Sequence, residues 1–403
     1  MDPEQIFLGL LEPAGMADPY PLYAALHEFG EVAVAAGQGV VLVPGYEAAN
    51  AVLRDPEYRM DDAEYFDHAF PGWREHPAWS TDSLLNLNGA DHTRVRTLMT
   101  RQFTHRRVQA LEPAIAALTD KLLDAMAERG AGGEPVDFMR EFAFALPVAV
   151  IAELVGVQYW DREELRVQAR KLTAVLEPLA DDNDLAAADV AATDMAGMFA
   201  AVTANRRAAP RDDLASALTA VAASEAGRLS EAELVENLML LLIAGFETTT
   251  NLLGNGLRIV LDDQATADAL RCGMVRAADF VEEVLRYDAP VQQTGRRRQI
   301  PGVLRGVDIG AGDQVVVMLG AANRDPQRFA DPDVFRPGRA DAGVLSFGAG
   351  AHFCLGAALA RLEGTVAFSK LLARFPGIAA AGEPQRRKGM TFRGFESLPV
   401  TLG

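Results

Sequence analysis

The chain has 403 residues, of which 49% are hydrophobic and 23% charged, and its formal net charge at pH 7 is −18. This composition is typical of a globular protein and excludes a disordered chain or a repeat solenoid. The acidic balance argues against nucleic-acid binding, which requires a positive surface. The only two cysteines, Cys272 and Cys354, are far apart in sequence, so neither a disulfide framework nor a multi-cysteine zinc site is expected.

The N-terminal segment begins "MDPEQIFLGLLEP", which is acidic and lacks the basic start of a signal peptide. The longest uninterrupted apolar stretch, residues 238–246, is far shorter than the roughly 20 residues that span a bilayer. We therefore expect no membrane anchor and a cytoplasmic location.

Helical spacing of apolar residues accounts for most of the chain. Residues 111–130 show it clearly, with Ile115, Leu118 and Leu122 on one face and Gly130 at the end. Strand signals are sparse and lie at residues 39–46, 307–319 and 390–402. No long low-complexity linker divides the chain. The sequence predicts a mainly α fold with a minor β part, in one domain spanning residues 1–403.

Residues 61–88 show no sustained periodicity, but they contain five aromatic residues: Tyr65, Phe66, Phe70, Trp73 and Trp79. Long loops in compact domains often form lids or binding loops. The aromatic residues could equally anchor a surface loop, and the sequence leaves both interpretations open.

A long helix is predicted over residues 229–263, starting at a capping box formed by Ser230 and Glu233. Its middle reads "AGFETTT", with a glycine, a carboxylate and three threonines that are poor choices for a buried helix on propensity alone. A buried acid beside a hydroxyl can relay protons through water. The alternative is a threonine-induced bend with Glu247 facing solvent.

A second helix is predicted in "VEEVLRYDAP", where Glu283 and Arg286 are three residues apart and can pair before Pro290. Taken alone, such a pair is most often a surface ion pair.

Cys354 lies in "SFGAGAHFCLG", directly before a strongly helical segment. The helix N-terminus favours a thiolate at this position, and a thiolate is a metal ligand. Gly348, Gly350 and Gly356 remove side chains around the sulfur, so that a flat cofactor could approach. Haem ligated by one cysteine is a known site of this kind. The alternative is a buried apolar cysteine.

The pattern Phe347-Gly348-x-Gly350-x-His352-x-Cys354-x-Gly356 resembles the haem-binding signature of the cytochrome P-450 superfamily. The resemblance implies the superfamily's helix-rich triangular prism and a bound haem b. It implies that Cys354 is the proximal thiolate ligand of the iron. Cofactor-binding roles follow for Phe347, Gly348, Gly356 and His352, the last at a haem propionate.

Other segments match the same family. Ala244-Gly245-Phe246-Glu247-Thr248 is similar to its oxygen-activation motif, which implies catalytic roles for Glu247 and Thr248 and haem contacts for Ala244 and Gly245. Glu283 and Arg286 match the family's structural Glu-x-x-Arg, with Arg339 as the implied third partner.

Three residues are similar to family residues that donate to the haem propionates. They are His92 and Arg96 in "GADHTRVRTLM" and Arg296 in "QTGRRRQ". Arginine suits this role because its planar fork binds carboxylates with two hydrogen bonds. Arg297 and Arg298 leave the exact choice in the last segment open.

The resemblance implies a monooxygenase that inserts one atom of O2 into a small apolar organic substrate by hydroxylation or epoxidation. Ferredoxin and ferredoxin reductase are the expected electron donors. The resemblance is strongest to actinobacterial tailoring enzymes, which suggests a secondary metabolite such as a polyketide or macrolide in antibiotic biosynthesis. Two alternatives are a peroxide-using peroxygenase or decarboxylase of the same fold and a non-catalytic haem-thiolate sensor.

Two surface assignments follow. Residues 61–88 and 165–195 are expected to frame the substrate pocket, because the family places its variable recognition segments there. Arg96, Arg101, Arg106 and Arg107 form a basic cluster in an acidic chain and are expected to dock ferredoxin.

Overall fold

The structure is a computed structural model that describes residues 1–101, 103–157, 162–223, 229–340 and 343–403. Within these ranges the helices are α1 Pro3–Leu11, α2 Pro13–Ala17, α3 Tyr20–His27, α4 Tyr46–Arg54, α5 Ala63–Ala69, α6 Gly89–Thr100, α7 His105–Ala110, α8 Glu112–Arg129, α9 Ala145–Val155, α10 Arg162–Ala174, α11 Asp182–Ala208, α12 Leu214–Ala222, α13 Glu231–Asp262, α14 Gln264–Arg271, α15 Ala277–Tyr287, α16 Leu319–Ala322 and α17 Ala357–Arg374. A π-helical turn, Met139–Ala143, precedes α9.

The strands in the same ranges are short. They are β1 Ala33–Ala35, β2 Val40–Val43, β3 Tyr58–Arg59, β4 Val136–Asp137, β5 Thr294–Arg298, β6 Gly302–Leu304, β7 Val307–Ile309, β8 Gln314–Val317, β9 Ala379–Ala380, β10 Gln385–Arg386, β11 Phe395–Ser397 and β12 Pro399–Thr401. The prediction of a mainly α fold with a minor β part is confirmed, and strands lie in all three segments where they were expected.

The chain divides into two compact units. Unit 1 comprises residues 1–58, 108–147 and 248–403, and unit 2 comprises residues 59–107 and 148–247. Helix α13 contributes its first part to unit 2 and its last part to unit 1. The expectation of one domain over residues 1–403 stays a prediction.

The largest sheet has the strand order β1-β2-β8-β5-β3. Strands β2 and β8 are parallel, with Val41 opposite Val315 and Val43 opposite Val317, and all four side chains are buried. Such β-branched side chains fit a pleated, buried surface well. Strand β5 pairs antiparallel with β8 and places Arg296 opposite Val315. The sheet therefore fixes the position of this arginine in unit 1.

The helical part of unit 1 is packed around α17. The ring of Phe368 lies 4.9 Å from that of Phe280 on α15, at 73°. Gly364 allows close packing of α17, since a Cβ there would lie 3.1 Å from Val281. Helix α8 also packs against α17 and ends before Gly130, as predicted.

Unit 2 contains α10, α11 and α12, and α11 packs against both of the other helices. The buried Arg206 of α11 pairs with Asp213 at 2.7 Å and donates to the carbonyl of Gly156 at 2.6 Å. Among the helices in the described ranges, α11 alone has the length and apolar composition of a membrane span. Packed helices inside globular proteins also meet that criterion.

The segment 61–88, for which we expected a loop, contains helix α5 and two 3-10 turns, Trp73–Glu75 and Pro77–Trp79. Asp62 caps α5 by accepting a hydrogen bond from the Tyr65 N–H at 3.2 Å. Seven residues make only about two turns, too few to show a helical period. The aromatic side chains pack together, with Phe66 5.3 Å from Trp73 and 5.9 Å from Trp79.

Helix α17 buries a carboxyl group in unit 1. Glu363 is 1% exposed, and its Oε2 has no hydrogen-bond partner among the described residues. Burial raises the pKa of this group well above its usual value, because a charged carboxylate loses its hydration there. The side chain is therefore protonated at pH values at which it would ionise in the unfolded chain.

We expect Glu363→Gln to remove a pH-dependent loss of stability. The raised pKa stabilises the folded protein fully at pH values below the pKa of the unfolded chain. This stabilisation is lost as the pH rises toward the pKa of the folded protein. Glutamine cannot ionise, so the difference in unfolding free energy between variant and wild type should move in the variant's favour by about 1–3 kcal/mol from pH 5 to pH 7. Urea unfolding at both pH values measures this change.

The matched control is Glu128→Gln, at an exposed acid on α8. Its difference from wild type should not change with pH. If the Glu363→Gln difference is also independent of pH, the carboxyl is not held protonated.

Candidate functional site

Cys354 lies in unit 1, between the 3-10 turn Gly350–His352 and the start of α17. It is half-buried and forms no disulfide. Its N–H donates to the carbonyl of Phe347 at 2.9 Å, and the N–H of Phe353 donates to Gly350 at 3.2 Å. These bonds fold the segment into a tight loop. The following helix places its positive end near the thiol, which favours the thiolate.

The glycines of this loop are required by its geometry. Gly348 and Gly350 have φ angles of +66° and +68°, a region that other residues rarely adopt. A Cβ on Gly350 would lie 2.2 Å from the carbonyl oxygen of Leu53. A Cβ on Gly356 would lie 4.0 Å from Sγ of Cys354, an ordinary van der Waals contact, so Gly356 borders the sulfur without being required by the packing. The loop therefore forms a cradle around the thiol.

The aromatic and basic groups of the loop pack beside it. The Phe347 and Phe353 rings are 6.5 Å apart, and the Arg361 guanidinium lies 4.4 Å above the Phe347 ring. Arg361 also pairs with Glu282 of α15. His352, the last residue of the 3-10 turn, is half-buried.

A hydrogen-bonded network lies behind the Cys354 loop. Glu283 and Arg286 of α15 are both buried and joined by two hydrogen bonds, of 2.8 and 2.9 Å. Arg339 adds a third contact, from its Nε to Glu283 at 2.8 Å. The predicted partnership of these three residues is confirmed. The alternative of a surface ion pair is wrong, because both Glu283 and Arg286 are buried, and buried charges must be paired.

Asn323 joins this network to the loop. Its carbonyl accepts from Arg286 at 3.1 Å, and its side chain accepts from the Leu345 N–H and donates to Ser346, both at 2.7 Å. Leu345 in turn accepts from the N–H of Gly348 at 2.8 Å. The position of the Cys354 loop thus depends on α15.

Arg296 of β5 carries a buried charge. Its side chain is 5% exposed and donates to Thr294 Oγ1 and the Gly295 carbonyl, at 3.0 and 2.6 Å. No carboxylate of the described residues pairs with it. Burial lowers the pKa of this guanidinium to about 10, since nothing compensates its lost hydration. A group that brings its own carboxylates would fit this residue.

The neighbouring arginines have other partners. Arg298 pairs with Asp55 at 3.0 Å and lies 4.6 Å above the Tyr58 ring. Arg297 donates to the Gly312 carbonyl at 3.2 Å. This arrangement favours Arg296 among the three candidates.

Helix α6 of unit 2 holds the other two predicted anion-binding residues. His92 is buried and Arg96 half-buried, and their spacing of four residues places them on one helix face. Burial, and then the positive charge of Arg96, lower the pKa of His92. The imidazole is therefore neutral at pH 7 and retains one N–H donor.

Residues 244–248, the segment that resembles an oxygen-activation motif, lie on α13, which is continuous over residues 231–262. Its capping box is present, with the Ser230 N–H donating to Glu233 at 2.7 Å and the Glu233 N–H donating to Ser230 at 3.1 Å. Ala244 is exposed and Thr248, one turn later, is half-buried, whereas Glu247 is buried. The alternative interpretation, in which Glu247 faces solvent, is wrong because this residue is only 7% exposed.

Gly245 has a packing role. A Cβ at this position would lie 2.5 Å from Ile151 of α9, so only glycine allows α9 this close to α13. Sequence reasoning did not identify this contact because the two residues are far apart in the chain.

The candidate residues are divided between the two units. Unit 1 holds Thr248, Arg296 and the Cys354 loop, and unit 2 holds His92, Arg96, Ala244, Gly245 and Glu247. Sequence reasoning missed the connection through Asn323 and the buried Glu363, for which no local signal exists.

The chain is similar to known proteins over nearly its whole length. A model of the family described as "Cytochrome P450" matches residues 183–391. The "Cytochrome P450 monooxygenase PikC" of Streptomyces venezuelae is 38% identical over 99% of this chain and 94% of that protein. The "Polyketide biosynthesis cytochrome P450 PksS" of Bacillus subtilis is 39% identical over 80% and 78%. The crystal structure of ligand-free Mycobacterium smegmatis CYP164A2 has a TM-score of 0.89 at 35% identity, covering 99% and 100%.

Proposed function

The chain belongs to the cytochrome P450 family, and we propose that Cys354 binds the haem iron as its thiolate ligand while Glu247 and Thr248 handle protons. The predictions of this family, its helix-rich fold, haem b and monooxygenase activity are confirmed. The enzyme acts on an organic substrate with O2 and takes electrons from redox partners.

The observation that carries the proposal is the cradle around Cys354. A half-buried thiol at a helix start, in a loop whose two glycines have positive φ, suits a ligand that must approach the sulfur closely. When bound, the haem supplies oxygen activation, because a thiolate ligand favours O–O cleavage. Cys354 holds the iron, and the Glu283 network holds the loop.

We propose that basic side chains bind the haem carboxylates. Arg296 is the strongest candidate, because its buried charge has no carboxylate partner among the described residues. His92, Arg96 and His352 are the further proposed donors. Phe347, Gly348, Gly356, Ala244 and Gly245 complete the proposed cofactor-binding set.

Glu247 and Thr248 are the proposed catalytic residues. The Thr248 hydroxyl can both donate and accept a hydrogen bond, and the buried carboxyl of Glu247 would pass protons toward it when haem is bound. This pair argues against a peroxygenase, which uses peroxide and needs no such delivery. It also argues against a sensor that binds its ligand without turnover.

For the substrate we propose a secondary metabolite such as a polyketide or macrolide, oxidised by hydroxylation or epoxidation. The support is the similarity to PksS, whose name assigns it to polyketide biosynthesis. Residues 61–88 and 165–195 are the segments proposed to frame the substrate pocket.

For the electron donors we propose ferredoxin and ferredoxin reductase in the cytoplasm. Arg101, Arg106 and Arg107 are exposed and Arg96 is half-buried, all within residues 96–107 of unit 2. This basic cluster in a chain of net charge −18 suits an acidic ferredoxin.

Substitution of Cys354 tests the proposal directly. We expect the reduced wild-type protein with carbon monoxide to show the red-shifted Soret band of thiolate ligation, and Cys354→Ser to lack it. The control is Cys272→Ser, at the exposed cysteine, which should retain the band. A Cys354→Ser protein with an unchanged band would refute the assignment.

Substitution of Thr248 separates oxygen activation from haem binding. We expect Thr248→Ala to bind substrate and accept the first electron normally but to release most reducing equivalents as hydrogen peroxide, because the hydroxyl that guides the protons is missing. Glu247→Gln should instead slow turnover, since it cannot pass a proton. NAD(P)H consumption, peroxide and product are measured in one reaction.

The control for this pair is Thr250→Val, two residues further along the helix. The Thr250 hydroxyl is buried and makes no hydrogen bond within the described part of the chain, so its removal should leave coupling unchanged. Tightly coupled turnover in Thr248→Ala would contradict the proton-handling role.

The docking proposal predicts salt-dependent reduction. With an acidic ferredoxin, the reduction rate should fall as ionic strength rises, and Arg106→Glu should lower it several-fold at low salt. Lys121→Glu, the same charge change at an exposed residue of α8, is the control and should have a smaller effect. Equal rates at all salt concentrations would exclude this docking surface.

A further inference from the structure

Two helices of unit 2 hold the segment 76–84. On one side, Asp189 of α11 accepts from His76 Nδ1 at 2.7 Å and from the backbone N–H of Ala78 at 3.0 Å. Both oxygens of this carboxylate therefore accept hydrogen bonds from the segment 76–84. The Asp189 side chain is only 19% exposed, and its contact with His76 is therefore partly shielded from water.

On the other side, Asn237 of α13 holds the end of the same segment. Its Oδ1 accepts from the Leu84 N–H at 2.8 Å, and its Nδ2 donates to the Asp82 carbonyl at 3.2 Å. Asn237 is fully buried and is itself fixed by a 2.7 Å bond to the Glu233 carbonyl. This end of the segment is held rigidly.

Apolar packing adds to this contact. Helix α11 packs against the 3-10 turn Pro77–Trp79. On either side of Asp189 in sequence, Ala188 and Ala191 are fully buried, whereas Val190 is 57% exposed. The His76 ring packs 5.3 Å from Trp79, so the carboxylate also holds an aromatic residue of the segment.

We infer that Asp189 is a positioning residue that joins the segment 76–84 to α11, so that the two elements open and close together. The inference rests on the proposed function, in which residues 61–88 and 165–195 frame the substrate pocket. It assigns Asp189 control over the admission of large ligands. Small ligands do not need this opening.

Hydrogen exchange of the purified protein tests the junction itself. In Asp189→Ala the Ala78 N–H loses its acceptor, and exchange in residues 76–84 should become at least tenfold faster. Asp189→Asn keeps an acceptor oxygen and should give a smaller increase. The control is Asp194→Ala, an exposed acid on the same helix, with no change expected. Unchanged exchange in Asp189→Ala would overturn the inference.

Stopped-flow binding tests the consequence. Imidazole and the bulky azole econazole both coordinate haem iron, and their binding is visible in the Soret band. We expect Asp189→Ala to accelerate econazole association at least threefold and to leave imidazole association within a factor of about 1.5. Equal effects on both ligands, or no effect on econazole, would overturn the inference.

A failure of the proposed function can be distinguished from a failure of this inference. Loss of the thiolate spectrum in wild type would refute the assignment of Cys354, whereas the Asp189 variants should all retain that spectrum. An Asp189 variant that loses the spectrum would show that the residue acts on haem binding and would contradict its role at the segment 76–84.

Discussion

The position of the Cys354 loop depends on the contacts that the buried carboxylate of Glu283 makes with two arginines. It accepts hydrogen bonds from Arg286, from Arg339 and from the backbone N–H of Arg336. Two guanidinium groups around one carboxylate leave a net positive charge, and Arg286 offsets the lost hydration by donating to three carbonyls, those of Asn323, Pro332 and Val334. Removing the carboxylate would leave buried charges unpaired, which typically costs about 3–5 kcal/mol.

The same network explains how the Cys354 loop is held. Asn323 is hydrogen-bonded to Arg286 on one side and to Leu345 and Ser346 on the other. The N–H of Cys354 then donates to the carbonyl of Phe347, and this bond closes the loop. Backbone hydrogen bonds therefore hold the loop that carries the thiol. Gly348 and Gly350 adopt their positive φ angles without strain, but glycine loses more backbone freedom on folding than other residues, and the network behind the loop helps to offset that loss.

Much of this fold and site is predictable from the sequence, because the signals are local. The capping box of α13, the end of α8 at Gly130 and the pairing of Glu283 with Arg286 depend on residues within one helix. The parts that escaped prediction depend on distant contacts. His76 and Asp189 are separated by 113 residues, and burial rather than sequence distinguishes Arg296 from its two neighbours.

X-ray absorption at the iron edge of the purified ferric protein tests the proposed ligation most directly, because it reports the atoms bound to the metal without requiring turnover. Cys354 as ligand predicts one sulfur scatterer on the iron, retained in Cys272→Ser. A spectrum with only nitrogen and oxygen neighbours, or a sulfur that disappears in Cys272→Ser, would contradict the role assigned to the Cys354 loop.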